Sequence, residues 1–261
     1  MPRPLPPATN EAFSLTAQGV VRANALSIHG YTGTPWEVLP VSMALADIGV
    51  SSTGIVLPGH EGDHTVLHRT SWQDWHRAGD AAFDRLPKDR PRILVGSSMG
   101  ALVALLIAAR RPSEVHALVL LAPALRFYMD GMLGAALAAR GLWRLKAHIV
   151  KELEGGDIAD ADARKASKSY SVLPLRGVGE LGILQGVVEA ELANVKAPLC
   201  VMHGAQDHTI PPVASEIVAA KVSSAHVERH LLRDSWHVIG VDVERDQVCA
   251  IAASFIEEQL T

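Results

Sequence analysis

The sequence has little cysteine, few aromatic residues and no long apolar run. Only two of its 261 residues are cysteines, Cys200 and Cys249, and each lies in a short apolar run. A disulfide scaffold is therefore excluded. We expect two free, buried thiols in a reducing compartment, with a Cys200–Cys249 disulfide as the alternative. Aromatic residues make up 5% of the chain, so the core must consist mainly of Ala, Val, Leu and Ile.

The sequence also lacks the features of membrane and nucleic-acid proteins. No window reaches the ~18 uninterrupted apolar residues of a membrane span, and the proline-rich start has no signal-peptide core. The chain carries 24 Lys and Arg against 28 Asp and Glu, a net charge of −4. Without an excess of positive charge, neither nucleic acid nor an anionic membrane is an expected partner. We therefore expect a soluble, cytoplasmic protein.

The overall composition is that of a globular protein. Hydrophobic residues make up 48% and charged residues 20% of the chain, which excludes disorder and collagen. At roughly 150 residues per domain, the length allows one or two domains. A chain of this size buries a sizeable core without metal or disulfide support.

Short apolar runs that end in Gly- or Pro-containing turns alternate with helical patterns along most of the chain. The predicted strands are 25–28, 52–57, 92–95, 116–121, 199–202 and 227–232. The predicted helices are 36–47, 72–86, 99–110, 211–221 and 242–259. Strands that are apolar on both faces and alternate with helices are typical of a mostly parallel sheet covered on both sides. The sequence therefore predicts the α/β class.

One stretch, residues 126–195, interrupts this alternation because it shows helical patterns and no clear strand. We predict that its helices span 135–150, 158–169 and 178–193. The stretch carries nine Lys or Arg and nine Asp or Glu, and it is rich in Ala, Gly, Leu and Met. The sequence thus predicts a core formed by residues 1–125 and 196–261, with residues 126–195 inserted as a helical cap.

The most specific motif is Gly-Ser-Ser-Met-Gly at residues 96–100, between a predicted strand and an apolar helical run. It fits Gly-x-Ser-x-Gly, the sharp strand-to-helix turn that exposes a nucleophilic serine. Larger side chains than glycine would collide in so tight a turn, and the glycine positions single out Ser98 rather than Ser97. The Met99 N–H then lies at a helix N-terminus, which favours an anion. The plain alternative is a Gly-Ser turn without chemistry.

A serine alone is a weak nucleophile and needs a base that is held by an acid. Sites on parallel sheets draw their residues from the carboxyl ends of strands. Among 12 histidines and many acids, that criterion selects Asp207 and His237, which follow the last two predicted strands. Asp234 and Asp242 lie near His237 in sequence and are alternative acids. Without chemistry, Asp207 would be a turn residue and His237 a loop histidine.

Further motifs accompany the serine turn in the order expected for it. They are His29-Gly30-Tyr31-Thr32-Gly33, Gly59-His60, His203-Gly204-Ala205-Gln206-Asp207 and Ser235-Trp236-His237-Val238. With them the sequence resembles the α/β-hydrolase superfamily, and within it bacterial carboxylesterases and monoacylglycerol lipases with a small helical cap. The resemblance covers roughly Ala12 to Leu260, more loosely over the predicted cap. It implies an α/β-hydrolase fold with a mostly parallel twisted sheet.

The resemblance also implies which groups bind the developing oxyanion. In that family the aromatic residue after His-Gly donates one backbone N–H, here that of Tyr31, which pairs with the N–H of Met99. Losing one such donor typically costs about 3 kcal/mol of barrier. Trp236 departs from the family, which usually has a small residue there, and it would narrow the pocket or shift the histidine loop. Cap residues either line an apolar acyl pocket or only pack on the core: Met129, Met132, Leu133 and Leu137.

Residues 60–64, His-Glu-Gly-Asp-His, match the zinc-protease pattern His-Glu-x-x-His. That pattern needs a helix, on which histidines four residues apart share one face. Pro58 and Gly59 precede the match and Gly62 lies inside it, so we expect a loop at a strand end. We therefore predict no metal and no other cofactor.

The sequence as a whole predicts a serine hydrolase acting on a small-molecule carboxylic ester, with a short or medium acyl chain, or on a monoacylglycerol. Fold and triad do not separate this reaction from carbon–carbon bond hydrolysis, perhydrolysis, hydroxynitrile cleavage or amide hydrolysis. A hydrolase-fold protein that senses a ligand without turnover is a further alternative. Acyl-chain preference and oligomeric state stay open at this level.

Overall fold

A seven-stranded sheet forms the centre of the structure, a computed structural model that describes residues 4–128, 138, 140–151 and 154–261. The strands in chain order are β1 (Phe13–Leu15), β2 (Ala23–Ile28), β3 (Val50–Ile55), β4 (Arg92–Ser97), β5 (Ala117–Leu121), β6 (His148–Val150), β7 (Val172–Pro174), β8 (Leu199–Gly204) and β9 (Val227–Leu232). The sheet has the order β1-β3-β2-β4-β5-β8-β9, and β6 pairs with β7 apart from it. All neighbours in the large sheet are parallel except β1, which runs antiparallel to β3.

Helices cover both faces of the sheet, which confirms the predicted α/β class. In chain order the helices among the described residues are α1 (Leu39–Asp47), α2 (His64–Leu67), α3 (Trp72–Asp84), α4 (Met99–Arg110), α5 (Ala161–Ala166), α6 (Leu175–Glu191), α7 (Val213–Lys221) and α8 (Arg245–Gln259). Side chains of α1 and α8 share one core with the sheet, and those of α3, α4, α6 and α7 share the other. The last helix begins at Arg245 rather than at 242 because residues 239–241 form a 3-10 turn.

Successive residues of the central strands face opposite cores. In β4, Leu94 packs with the α4 side, whereas Ile93 and Val95 pack with the α1 and α8 side. Helix α4 is itself buried on every side from Met99 to Ala109, as expected of a helix that is apolar all round. Burial on both faces is the reason that the strands read as continuous apolar runs. The parallel arrangement brings the carboxyl ends of β4, β8 and β9 to one edge of the sheet.

Residues 126–195, which lie between β5 and β8, differ from the all-helical segment that the sequence predicts. In the described part of the predicted helix over 135–150, Ala138 is helical, but the extension to residue 150 is wrong, because Leu142–Arg144 is a 3-10 turn and His148–Val150 is strand β6. The predicted helix over 158–169 shortens to α5, whereas that over 178–193 is present as α6. Strands of three residues, here β6 and β7, are too short to show a repeating pattern, and β1 escapes detection for the same reason.

The structure also bears on the expectations about a disulfide and about membrane-spanning helices. Cys200 and Cys249 are not joined to each other, so the alternative of a disulfide between them is wrong. Cys200 is buried as expected, whereas Cys249 is partly exposed. Within the described ranges, no helix combines the length and the apolar character that a membrane crossing requires.

Helix α3 offers a test of how local sequence stabilises the fold. Ser71 Oγ accepts the Asp74 N–H, and the Asp74 carboxylate accepts the Ser71 N–H, so both ends of this capping box are satisfied. We predict that Ser71→Ala lowers the free energy of unfolding by about 1 kcal/mol, measured by urea denaturation. Ser223→Ala, at an exposed serine outside any helix cap, is the control. Equal stability of the two variants would contradict the capping role.

Candidate active site

Ser98 occupies a strained turn between β4 and α4. Its φ of 53° and ψ of −113° lie where L-residues are rarely found. A Cβ at Gly96 would lie 2.6 Å from Ala101 Cα, and one at Gly100 would lie 2.2 Å from the Ile28 carbonyl oxygen. Both motif glycines are therefore required by close backbone approach. The Ser98 hydroxyl makes no helix-capping hydrogen bond, so it is available to another partner.

A continuous line of hydrogen bonds runs from Ser98 through His237 to Asp207. The Ser98 Oγ lies 2.9 Å from His237 Nε2, and His237 Nδ1 lies 2.6 Å from Asp207 Oδ2. The Nδ1–H donates to the carboxylate, so Nε2 is left to accept the Ser98 O–H. All three predicted residues thus meet, although they are 30 to 139 positions apart in pairs.

The other two candidate acids are placed elsewhere. Asp234 is exposed. Asp242 is fully buried, but its carboxylate accepts the backbone N–H groups of Trp236, Asp160 and Val243. Asp242 therefore shapes the turn that carries His237 and does not contact the imidazole.

The Asp207 carboxylate is held by four donors. Its Oδ1 accepts the N–H groups of Thr209 and Ile210 at 2.8 and 2.7 Å, and its Oδ2 accepts His237 and the Nε2–H of His203 at 2.9 Å. Burial opposes ionisation, but the two histidines and these hydrogen bonds outweigh it and hold the pKa of Asp207 well below its usual range. The sequence reasoning missed His203, although its place at the end of β8, four residues before Asp207, was a usable signal.

Two buried histidines hold the loop over residues 30–34. His29 Nδ1–H donates to the Gly30 carbonyl oxygen, and its Nε2 accepts the Leu57 N–H. His60 Nδ1–H donates to the Pro58 carbonyl oxygen, and its Nε2 accepts the N–H of Thr32, a residue with a φ of 62°. Burial lowers the pKa of His29 to about 4 and that of His60 well below its ordinary value, so both rings are neutral.

This geometry also separates the two histidines of the apparent zinc-protease pattern. Helix α2 begins only at His64, after Gly62 with a φ of 103°. His60 therefore does not share a helix face with His64, and both of its ring nitrogens are engaged within the protein.

The two amides expected to bind an oxyanion flank Ser98. A Cβ at Gly30 would lie 3.0 Å from Ser98 Cβ, so the 30–34 loop lies directly against the serine. Within the described part of the chain, neither the Tyr31 N–H nor the Met99 N–H has a hydrogen-bond acceptor. The Tyr31 side chain is anchored by its hydroxyl, which donates to the Pro174 carbonyl oxygen at 2.7 Å.

Glu37 supports the same loop from inside the protein and was missed by the sequence reasoning. Its carboxylate accepts the Gly30 N–H at 3.2 Å, and a Cβ at Gly33 would lie 2.0 Å from its Oε1. Burial raises the pKa of Glu37, although hydrogen bonds and the ammonium of Lys151 act in the opposite direction. The loop therefore wraps around a buried carboxyl group, a contact that only the fold reveals.

A cavity of about 380 Å³ opens beside Ser98 and His237. Its apolar wall consists of Ala124, Phe127, Leu173, Val178, Leu181, Ile210 and Val238. Its polar wall includes Glu37, Lys151, Asp157 and Ser169. The Lys151 ammonium donates to Thr32 Oγ1 and Ser169 Oγ at 2.6 and 2.8 Å, and burial lowers its pKa to about 8. Both apolar and polar side chains thus line the cavity.

The residues expected to line a pocket are placed differently. Trp236 does not line this cavity: its indole packs edge-on against the His208 ring, with the Arg164 guanidinium over its face. Its backbone N–H is held by Asp242, and the expectation of a narrowed pocket is not met. Four other candidates lie outside the described residues: Met129, Met132, Leu133 and Leu137.

Comparison with known proteins shows which family and which enzymes the chain is similar to. The model of the serine aminopeptidase S33 family matches residues 19–244. A thermostable monoacylglycerol lipase of Bacillus sp. (strain H-257) is 26% identical over 233 residues, 88% of each chain. A monoacylglycerol lipase of Mycolicibacterium smegmatis is 29% identical over 179 residues, which are 65% of this chain and 63% of that protein.

Solved structures show the same fold. A metagenome-derived lipolytic enzyme superposes with a TM-score of 0.85 at 24% identity, covering 95% of this chain and 98% of that one. The monoacylglycerol lipase of Paleococcus ferrophilus superposes with a TM-score of 0.79 at 18% identity, covering 96% and 98%. The fold is that of the α/β-hydrolases, as the sequence predicts. Because the family model spans most of its length, the chain belongs to the serine aminopeptidase S33 family.

Proposed function

We propose that Ser98, His237 and Asp207 are the catalytic triad of a serine carboxylic-ester hydrolase. The observation that carries this proposal is the unbroken hydrogen-bonded line from the Ser98 hydroxyl to the Asp207 carboxylate. Its order and spacing are those needed to activate a serine and to stabilise the imidazolium that forms. Membership of the S33 family and the likeness to two monoacylglycerol lipases support ester hydrolysis as the reaction.

In the proposed acylation step, Ser98 Oγ attacks the ester carbonyl carbon and its proton passes to His237 Nε2. The negative charge that develops on the carbonyl oxygen is bound by the N–H groups of Tyr31 and Met99, which have no acceptor among the described residues. The tetrahedral intermediate collapses, the carbon–oxygen bond to the alcohol breaks, and His237 gives its proton to the leaving alcohol.

The deacylation step repeats the same proton transfers with water. His237 Nε2 takes a proton from a water molecule, whose oxygen attacks the acyl carbon. The second tetrahedral intermediate releases the carboxylic acid, and the proton returns to Ser98 Oγ. Asp207 stays ionised throughout and stabilises the imidazolium, which fits the low pKa of its carboxyl group.

The mixed apolar and polar lining of the cavity supports monoacylglycerols as the substrate class. The acyl chain would lie against the apolar wall, for example Phe127 and Val178, where its burial is favourable. The glycerol hydroxyls would face the polar wall, which carries Lys151 and Ser169. Two relatives of the chain, described above, are monoacylglycerol lipases, which agrees with this assignment.

We further propose that residues 126–195 form a cap over a catalytic core of residues 1–125 and 196–261. Residues of this stretch supply both cavity walls, from Phe127 to Leu181. The cap would combine helices α5 and α6 with the β6–β7 pair. The acyl-pocket role of Met129, Met132 and Leu133 stays a prediction.

The proposed reaction is tested by a series of p-nitrophenyl esters from C2 to C16, together with monoacylglycerols and a matched amide. We predict that kcat/KM is highest for a monoacylglycerol, because it alone fills both walls of the cavity. Ser98→Ala should lower kcat by about 10⁶-fold, since it removes the nucleophile. Ser97→Ala, at the neighbouring serine, is the matched control. Ester hydrolysis retained by Ser98→Ala, or a preference for the amide, would contradict the proposal.

The pH dependence follows from the carboxylates around His237. Burial lowers the pKa of His237, but Asp207, Asp157 and Glu37 together outweigh it and raise the pKa above its ordinary value of 6.5. Only neutral His237 can accept the Ser98 proton, so kcat/KM must fall as pH drops through that raised pKa. We predict an acid limb centred above pH 6.5, measured with a neutral ester.

Two variants test whether Asp207 is the acid that raises the pKa of His237 and so sets the acid limb of kcat/KM. Asp207→Asn should move the acid limb to lower pH, because the imidazolium loses its nearest carboxylate, and should lower kcat by about 10⁴-fold. Asp234→Asn, at the exposed alternative acid, should leave both quantities as they are. A wild-type acid limb in Asp207→Asn would exclude Asp207 as the partner of His237.

A further inference from the structure

A loop of the inserted stretch crosses between the two loops that carry Asp207 and His237. We propose that Asp157 in this loop is a positioning residue, which fixes the Asp207 loop and the His237 loop relative to each other through five hydrogen bonds. The inference rests on the proposed function, because it assigns a role toward the same triad. Asp157 lies on a different part of the chain from either loop, 50 residues before Asp207 and 80 before His237.

The backbone of Asp157 holds the histidine loop. Its carbonyl oxygen accepts the N–H of His237 and the N–H of Val238, each at 3.1 Å. These two bonds fix the main chain on both sides of the His237 Cα. They thereby fix the point from which the imidazole side chain extends. Among the described residues, no other carbonyl accepts the His237 N–H.

The side chain of Asp157 holds the acid loop. Its Oδ2 accepts the backbone N–H of His208 and the hydroxyl of Thr209, each at 2.9 Å, and its Oδ1 lies 2.9 Å from His208 Nδ1. Both partners directly follow Asp207, and the Thr209 N–H itself donates to Asp207 Oδ1. The Asp157 side chain is only 10% exposed, whereas that of His208 is 61% exposed, so the carboxylate is largely covered while its partners face solvent.

The residues around Asp157 keep it in place. Gly155 and Gly156 have φ values of 85° and 101°, which make the tight turn that leads into the site. A Cβ at Gly155 would lie 1.9 Å from the Arg164 carbonyl oxygen, so the turn packs closely on α5. Ile158 is 1% exposed and packs with Trp36 and Val238. The loop is thus anchored on both sides of Asp157.

Asp157 also contributes charge to the site. The carboxylates that raise the pKa of His237 come from three elements: Asp207 from the loop after β8, Asp157 from the inserted stretch and Glu37 from beneath the 30–34 loop. Asp157 therefore favours the imidazolium that forms when His237 takes the Ser98 proton. This effect distinguishes a positioning residue of the site from a residue that only stabilises the fold.

Two variants separate geometry from charge. Asp157→Ala removes every side-chain bond, and we expect kcat on a monoacylglycerol to fall by roughly 10- to 100-fold, the size typical of a misplaced catalytic group. KM should change much less, because the apolar wall is intact. Asp157→Asn keeps an oxygen for His208 and Thr209 but removes the charge. We expect a smaller loss of kcat and an acid limb of kcat/KM shifted to lower pH.

The controls keep the outcome decisive. Asp162→Asn, at an exposed aspartate in the first turn of α5, removes the same charge from the same stretch and should change neither kcat nor the acid limb. Thermal unfolding shows whether each variant is folded, and titration of the serine with a p-nitrophenyl phosphonate gives kcat per competent site. If Asp157→Ala does not fold, the kcat and the acid limb of Asp157→Asn test the positioning role.

The possible results differ between the two proposals. Wild-type kcat and an unshifted acid limb in Asp157→Asn, in a chain whose wild type hydrolyses esters and whose Ser98→Ala does not, would overturn the positioning role alone. An inactive wild type would instead refute the ester-hydrolase assignment. A lower kcat per site together with the shifted limb, absent in Asp162→Asn, would establish the role of Asp157.

Discussion

The conformation of one residue, Ser98, constrains the rest of the structure. Its backbone enters the positive-φ region so that β4 can turn at once into α4, and this requires Gly96 and Gly100 on either side. The strain is held because α4 is buried on all sides and cannot move away. The Ser98 side chain is consequently not used as a helix cap, in contrast with Ser71 at the start of α3. Its hydroxyl is instead directed to His237.

Burial lowers the pKa of several histidines of the site, and the groups that face each ring determine whether its pKa ends below or above the ordinary value. His29 and His60 face backbone groups and a neighbouring ring, so the cost of burying a charge prevails and both stay neutral. His237 is also buried, but three carboxylates face it and raise its pKa above the ordinary value. The protein thus holds neutral imidazoles as hydrogen-bond acceptors beneath the 30–34 loop and one readily protonated imidazole beside Ser98.

The residues that the sequence identified share one property: each follows a strand of the parallel sheet. Ser98, Asp207 and His237 could be found because parallel strands end at a common edge. Glu37, Lys151 and Asp157 could not, since no local pattern marks a buried charge. The partners of Lys151 and Asp157 are also distant in sequence. For the fold, the long strands and helices were predictable from apolar runs, whereas β1, β6 and β7 were not, because three residues carry no periodicity.

Residues 151–170 form part of the site, because several of them bond to its loops. The Thr32 carbonyl oxygen accepts the Tyr170 N–H and the Ser169 hydroxyl, while Lys151 holds the Thr32 side chain. Asp157 performs the corresponding task for the acid and histidine loops. The 30–34 loop, the Asp207 loop and the His237 loop are therefore each bonded to residues 151–170. Local opening of this stretch would release several of these bonds together, so the site can be no more stable than the stretch itself.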